Sequence, residues 1–391
     1  MELTMCCPTL FGLEGIVADE LRFGGKLNDV QAENGRVLFE GDERTLAWAN
    51  LHLRCAERVL IRLGTFSAQT FDMLFEGVRA LPWEQFIPKD GSFPVKGYSL
   101  DSALHSIPDC QKIIKKAVVE RLGRVYGQNW FDETGAKYQI QFSIMHDTAE
   151  LFLDTSGAGL HKRGYRANAN AAPLRETLAA AMVKLARWRG KEPLLDPFCG
   201  SGTIAIEAAM IATRRAPGLM RAFDADKWAC IDTNVWRQAR EDALEQMDGA
   251  ARFDIAGSDL DPDCVALSQE NAKKAGVLHT IRFTQADACK LDYRKKGTLF
   301  ANPPYGERLL DMESAQKLYA SFGRAVGHSP MKQYILSSDI AFERFFGKKA
   351  DKRRKLYNGM IKCDLYMYFK HSPRPSAKTS ELSQNGLTKN S

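Results

Sequence analysis

Ten residues, Leu194-Leu-Asp-Pro-Phe-Cys-Gly-Ser-Gly-Thr203, constrain this chain more than any other stretch. Two leucines lead into an acidic residue, as at the end of a short buried strand. Gly200 and Gly202 allow a tight turn with close backbone approach. Thr203-Ile-Ala-Ile-Glu-Ala-Ala-Met210 then has the apolar spacing of a helix. Strand, glycine turn and helix make the opening of a Rossmann-like α/β unit, with the turn at the carboxyl end of a strand, where open α/β sheets bind ligands. Such a turn suits a nucleoside cofactor.

A second run follows about a hundred residues on. Thr298-Leu-Phe-Ala301 reads as a buried parallel strand and runs into Asn302-Pro-Pro-Tyr305. The lone pair of an exocyclic amine is delocalised into its ring, so a site that alkylates it must accept both N–H protons and draw the nitrogen toward tetrahedral geometry. Asn302 offers a carboxamide oxygen. The carbonyl of Pro303 offers a second acceptor, preset because two successive prolines have a fixed φ and no donor of their own. Tyr305 offers a flat face for stacking. Asn-Pro and Pro-Pro are also ordinary loop punctuation, so the motif taken alone is equally a turn after a strand.

Gly200 to Ala205 also fits the dinucleotide fingerprint, which wants an acidic residue about twenty positions on. Asp224 and Asp226 lie near that distance, in a stretch unlike a strand. The next strand is predicted at Phe253 to Ser258, ending at Asp259 and Asp261 and fit to bind ribose hydroxyls. A third, Thr280 to Thr284, ends near Asp287, placed for an adenine amino group.

These residues together resemble class I S-adenosylmethionine-dependent amino-methyltransferases. Leu160-His-Lys-Arg-Gly-Tyr-Arg166, Ala216-Pro-Gly-Leu219 with Arg221, Phe223 and Trp228, Gly306-Glu-Arg-Leu309, and Lys355-Leu-Tyr-Asn-Gly359 narrow the likeness. They resemble the THUMP-containing RNA methyltransferases, in particular bacterial enzymes similar to the 23S rRNA guanine-N2 methyltransferase, over nearly the whole chain to about Lys370. The resemblance implies S-adenosylmethionine as cofactor. Asp196, Phe198, Gly200, Gly202, Thr203, Asp259, Asp287 and Asn302 would line its site, and Asn302, Pro303, Pro304 and Tyr305 would hold the target amine. It also implies a seven-stranded Rossmann-like sheet with the last strand antiparallel, preceded by a ferredoxin-like and THUMP α+β module. In one respect the chain departs from the family: the fused large-subunit enzymes carry a second methyltransferase half, for which it is too short.

The first 165 residues read apart from the catalytic sheet. A βαββαβ order over 1–66, with a hairpin at Asn34-Gly35, suggests a ferredoxin-like unit. The THUMP unit is expected over 67–156, with a helix at 108–126 whose Lys112, Lys115, Lys116, Arg121 and Arg124 form either an RNA face or the polar side of an amphipathic helix. A linker over 157–172, a methyltransferase domain over 173–370 and a disordered tail over 371–391 complete the expected organisation.

With 391 residues, 45% of them hydrophobic, the chain has enough for at least two cores. Its formal net charge of +6 is modest, and local runs say more. His161-Lys-Arg-Gly-Tyr-Arg166 and Lys348 to Lys355, the latter with six bases against one acid, place Lys162, Arg163, Arg166, Lys352, Arg353 and Arg354 as phosphate contacts. Nine cysteines without paired C-x-x-C clusters read as reduced thiols with no metal site. Neither a membrane span nor a signal peptide is evident, so a cytoplasmic enzyme is expected, monomer or homodimer, with RNA as partner.

The motifs leave the methylated group open among guanine N2, adenine N6 and cytosine N4. They also leave open a DNA N6-adenine methyltransferase, a protein glutamine methyltransferase and a non-catalytic ribosome-assembly factor.

Overall fold

The computed structural model describes residues 1–166, 174–304 and 311–370. Tyr305 and Gly306 to Leu309, and the tail from residue 371, lie outside the described residues, as do residues 167–172 of the expected linker.

The first half contains β1 (Leu3–Pro8), α1 (Glu14–Asp19), β2 (Val30–Glu33), β3 (Arg36–Gly41), α2 (Glu43–His52), β4 (Leu60–Ser67), α3 (Phe71–Ala80), β5 (Val95–Leu100), α4 (Ile107–Tyr126), β6 (Gln139–Met145) and β7 (Thr148–Asp154). Local chemistry sets several boundaries. Asp42 and Thr70 cap α2 and α3 by accepting the amides of Thr45 and Met73, and α4 stops at Gly127 in the left-handed region (φ +67).

All seven strands join in one sheet, ordered β2-β3-β1-β4-β7-β6-β5. The β4-β1-β3-β2 part is a ferredoxin-like arrangement, as the sequence suggested. The two units expected over 1–66 and 67–156 nevertheless share hydrogen bonds along β4 and β7, from Leu60 opposite Asp154 to Ser67 opposite Thr148. On α4, Lys112, Lys115, Arg121 and Arg124 are paired within the protein, with Asp109, Glu133, Glu84 and Glu120. Much of that cationic face is thus already neutralised.

The second half contains α5 (Glu176–Leu185), β8 (Leu194–Asp196), α6 (Thr203–Ala212), α7 (Thr233–Glu245), β9 (Ile255–Asp259), α8 (Pro262–Lys274), β10 (Ile281–Gln285), β11 (Thr298–Ala301), α9 (Met312–Val326), β12 (Lys332–Ser337), α10 (Phe342–Phe346), β13 (Lys352–Asn358) and β14 (Ile361–Tyr368). Its strands order as β10-β9-β8-β11-β12-β14-β13. β10 through β12 run parallel and β14 antiparallel to both its neighbours. The order reverses beside β8, between β9 and β11, which opens a crevice at the carboxyl edge.

The basic run 348–355, expected to contact phosphates, is not a separate surface loop throughout: from Lys352 onward it forms β13, the sheet's edge strand. Alternate residues such as Leu356 and Asn358 are buried beneath it, a period-2 pattern obscured by the run of cations.

The segment after α6 ties the two halves together. Gly218 lies so close to α2 that a Cβ there would meet Leu51 Cα at 2.7 Å, and its amide donates to the Leu51 carbonyl. Arg221 donates to the carbonyls of Ser156, Ala158, Gly159 and Lys162, and the Trp228 ring stacks on Tyr138 at 4.8 Å. Among the described residues no helix is long and apolar enough to cross a membrane.

Candidate active site

The glycine turn after β8 is held from three sides. The Cys199 amide donates to the Ser258 carbonyl on β9, and the Gly202 amide to the Cys199 carbonyl, closing the turn. From α8, buried Asn271 donates to the Ser201 carbonyl at 3.0 Å. Gly200 (φ +50) and Gly202 (φ +81) are both left-handed. A Cβ on Gly202 would meet Ser268 Cβ at 2.9 Å, whereas one on Gly200 would meet nothing within 4 Å. The Gly200 backbone therefore faces open space, the approach a ligand needs.

Two carboxylates flank that opening. Asp259, at the tip of β9, accepts the Gly200 amide on Oδ2 at 2.9 Å and the Asp261 amide on Oδ1 at 3.1 Å. Each oxygen keeps a second lone pair for a ligand hydroxyl. Asp196 is 1% exposed; its Oδ1 accepts the Phe198 amide, and its Oδ2 is buried without a partner. Burial pushes its carboxyl up to about 8, with the nearby Asp259 charge adding to the effect. A buried acceptor with no donor is costly unless a ligand completes it. Cys199 is also buried, and that burial raises its thiol well above the usual range, which removes it as a nucleophile.

Asp261 accepts the Asp263 amide and caps α8, so the two acids ending the β9 run divide their work. Asp287 lies just beyond β10 and is held below the usual carboxylate range by the Cys289 amide and by Lys290. Asp224 and Asp226 pair with Lys137 and Arg240 at the junction with the N-terminal sheet, where they serve packing and no cofactor ribose.

Asn302 follows directly on β11, next to β8 in the sheet, and its Oδ1 is buried without a partner. The Tyr319 hydroxyl on α9 donates to the Pro304 carbonyl at 3.2 Å, while no hydrogen bond among the described residues reaches the Pro303 carbonyl. Two acceptors, one carboxamide and one backbone carbonyl, thus lack a partner among the described residues at the carboxyl edge. The Phe198 ring packs edge-on against Phe322 of α9 at 5.0 Å, tying the cofactor turn to the same helix.

The basic residues separate into two groups. Arg163 is 2% exposed and bonds Glu207, the Leu160 carbonyl and the Arg54 carbonyl. Arg166 donates to Thr203 Oγ1 and the Leu174 carbonyl and pairs with Glu176. Their reading as phosphate contacts is corrected: Arg163 is spent inside the protein against Glu207 of α6, and Arg166 is turned inward onto Thr203, where α6 leaves the glycine turn. Lys162 and Lys352 are exposed, Arg353 pairs with Glu343, and Arg354 donates to the Gly12 carbonyl. Sequence reasoning missed Tyr319, Glu207, Ser258 and Asn271. Their contacts cross the chain and leave no local signal.

A sheet of this order, with a glycine turn after its first strand and Asn-Pro-Pro after its fourth, defines a Rossmann-like methyltransferase. Residues 163–367, just over half of the chain, match the RMKL-like methyltransferase domain; residues 4–60 match the RlmL ferredoxin-like domain and 68–154 the THUMP domain. The protein belongs to the RMKL-like methyltransferase family. YpsC of Bacillus subtilis (strain 168), which carries a provisional name as an RNA methyltransferase, is 43% identical over 97% of this chain and 98% of its own length. The ribosomal RNA large subunit methyltransferase K/L of Psychromonas ingrahamii is 33% identical over 99% of this chain, which spans 53% of that protein. The structure of SMU.472, provisionally named a methyltransferase and solved with SAH, is 40% identical with a TM-score of 0.89, covering 95% of this chain and 99% of that one. S-adenosylmethionine is the methyl donor of this family. The unpartnered Asp196 Oδ2, the open face of Gly200 and the spare lone pairs of Asp259 fit a cationic nucleoside of that kind.

Proposed function

We propose that this protein methylates the exocyclic amine of a base in structured RNA, with guanine N2 of large-subunit rRNA as the target. The observation that carries the amine chemistry is the buried Oδ1 of Asn302 beside the Pro303 carbonyl, both without a partner among the described residues. Support for RNA comes from the match to the THUMP domain, from relatives named for RNA and for large-subunit ribosomal RNA, and from exposed Lys162 and Lys352.

S-adenosylmethionine supplies an electrophilic methyl on a sulfonium centre. Asp196 would face the cationic part of the cofactor, Asp259 would hold the ribose hydroxyls and Asp287 the adenine amine, with Phe198, Gly200, Gly202 and Thr203 as the floor. Asn302 Oδ1 and the Pro303 carbonyl accept the two N–H bonds of the target amine and localise its lone pair toward the methyl group. Tyr305 completes the motif as the stacking face for the base. After transfer the nitrogen is cationic and acidic, and it loses a proton to water without a dedicated base. Alignment and preset acceptors supply the acceleration. A paired guanine presents this amine inside a helix, so its base must be extruded first.

The test is nucleoside mass spectrometry of ribosomal and transfer RNA from a strain lacking the gene, mapped by position. Loss of one N2-methylguanosine from large-subunit rRNA is expected; an unchanged large-subunit profile overturns the assignment.

A further inference from the structure

β13 and β14 form a hairpin whose place in the sheet gives it a role that the amine clamp does not explain. Ser337, the last residue of β12, lies opposite Asp364, yet β14 begins at Ile361 and β13 ends at Asn358, opposite Ile361. The hairpin therefore projects past the carboxyl edge on which Asn302 sits. Its loop is Gly359 (φ +67) and Met360, a two-residue turn whose first position requires glycine. Ala301 pairs with Ile335, so Pro303 stands level with Ser337. By strand spacing, Met360 lies roughly 10 Å to the side of the clamp and about 13 Å beyond it.

Met360 is 98% exposed, a large apolar side chain held in water at the tip of the projecting hairpin. Three contacts hold the base of that hairpin. Arg354 donates to the Gly12 carbonyl, Asn358 Oδ1 accepts the Arg175 amide, and Tyr357 packs edge-on against Phe11 at 6.3 Å. Lys362, two residues from Met360, and Lys355, level with Ser337 through its pairing with Asp364, are exposed on one face of the hairpin and without an ion pair among the described residues. Their charges suit the phosphates along an approaching RNA strand. An apolar tip beside cations, projecting past the edge that carries Asn302, has the construction of a side chain that enters a base stack.

We propose that Met360 is a wedge: it inserts into the RNA helix at the place vacated by the extruded base, while Lys362, close beneath the tip, holds a neighbouring phosphate and Lys355, further down the same face, meets the strand beyond it. This rests on the RNA reading above and deepens it. No bond is made or broken by the wedge; it acts on the opening equilibrium of the substrate and is a positioning residue. Replacing Met360 removes no packing, because its side chain is exposed.

The test compares wild type with Met360→Ala and Met360→Leu in single-turnover methylation of two RNAs. One is a folded hairpin carrying the mapped target, the other a single-stranded oligonucleotide of the same local sequence. Met360→Ala is expected to slow methylation of the hairpin tenfold or more, to change the single strand less than twofold, and to be largely rescued by Met360→Leu. Equal loss on both RNAs, or no loss on the hairpin, overturns the wedge and leaves the RNA assignment standing. Failure of the wild type to methylate either RNA removes both.

Discussion

The Gly200 amide donates to Asp259 Oδ2 at 2.9 Å across 59 positions of sequence. That bond makes the acid at the tip of β9 a structural part of the turn after β8, and it aims the carboxylate at the opening above the glycine. The turn geometry and the cofactor recognition proposed for Asp259 therefore rest on the same side chain.

Asp259→Ala is expected to weaken S-adenosylmethionine binding by about ten- to a hundredfold, the loss of a hydrogen bond to a charged group. Isothermal titration calorimetry would measure it. Unchanged affinity would show that Asp259 serves the turn alone.

Asp196 supplies a pH dependence. Its carboxyl is pushed up to about 8 in the ligand-free protein, so at pH 7 it is mostly protonated. A cationic ligand favours the carboxylate, so binding should release a proton and strengthen by up to about tenfold per pH unit toward pH 8, then level off. Stability runs the other way. A raised pKa contributes stability that is complete below the unfolded value near 4 and is lost as pH rises through 8. Asp196→Asn should flatten both profiles, which binding and thermal melts from pH 6 to 9 would reveal.

Asn302→Ala removes one of the two acceptors proposed for the amine. A fall in kcat of about 10²–10³ is expected, the usual cost of deleting one preorganised hydrogen-bonding group at a reacting centre. Cofactor affinity should change only a few fold. A loss confined to cofactor binding would reverse the roles assigned to the two motifs.

Arg163 and Lys352 should behave oppositely. Arg163→Ala leaves Glu207 charged, buried and short of a partner, so it should destabilise the fold by about 3–5 kcal/mol, read in denaturant melts. Lys352→Ala should leave the melt unchanged, weaken RNA binding and lower the salt slope by about one, read by filter binding across salt concentrations.

Much of this molecule was legible locally. The strand, glycine turn and helix over 194–210, the Asn34-Gly35 hairpin and the strand before Asn302 all follow from neighbours a few residues apart. Side-chain period, left-handed glycines and proline dihedrals act at that range. The basic runs misled for the same reason, because a cation at 163 reads identically whether it meets phosphate or Glu207.

Sequence by itself determined the class of sheet, the position of the glycine turn and the two acceptors that follow β11. Tertiary structure alone decided that the N-terminal strands share one sheet, that Lys352 to Asn358 is an edge strand carrying Met360 past the carboxyl edge, that Arg163 and Arg166 turn inward, and that Asp259 bonds Gly200. Each of these depends on which distant group supplies the partner for a polar or apolar surface. That choice is made only when the chain closes on itself and buried groups must be satisfied.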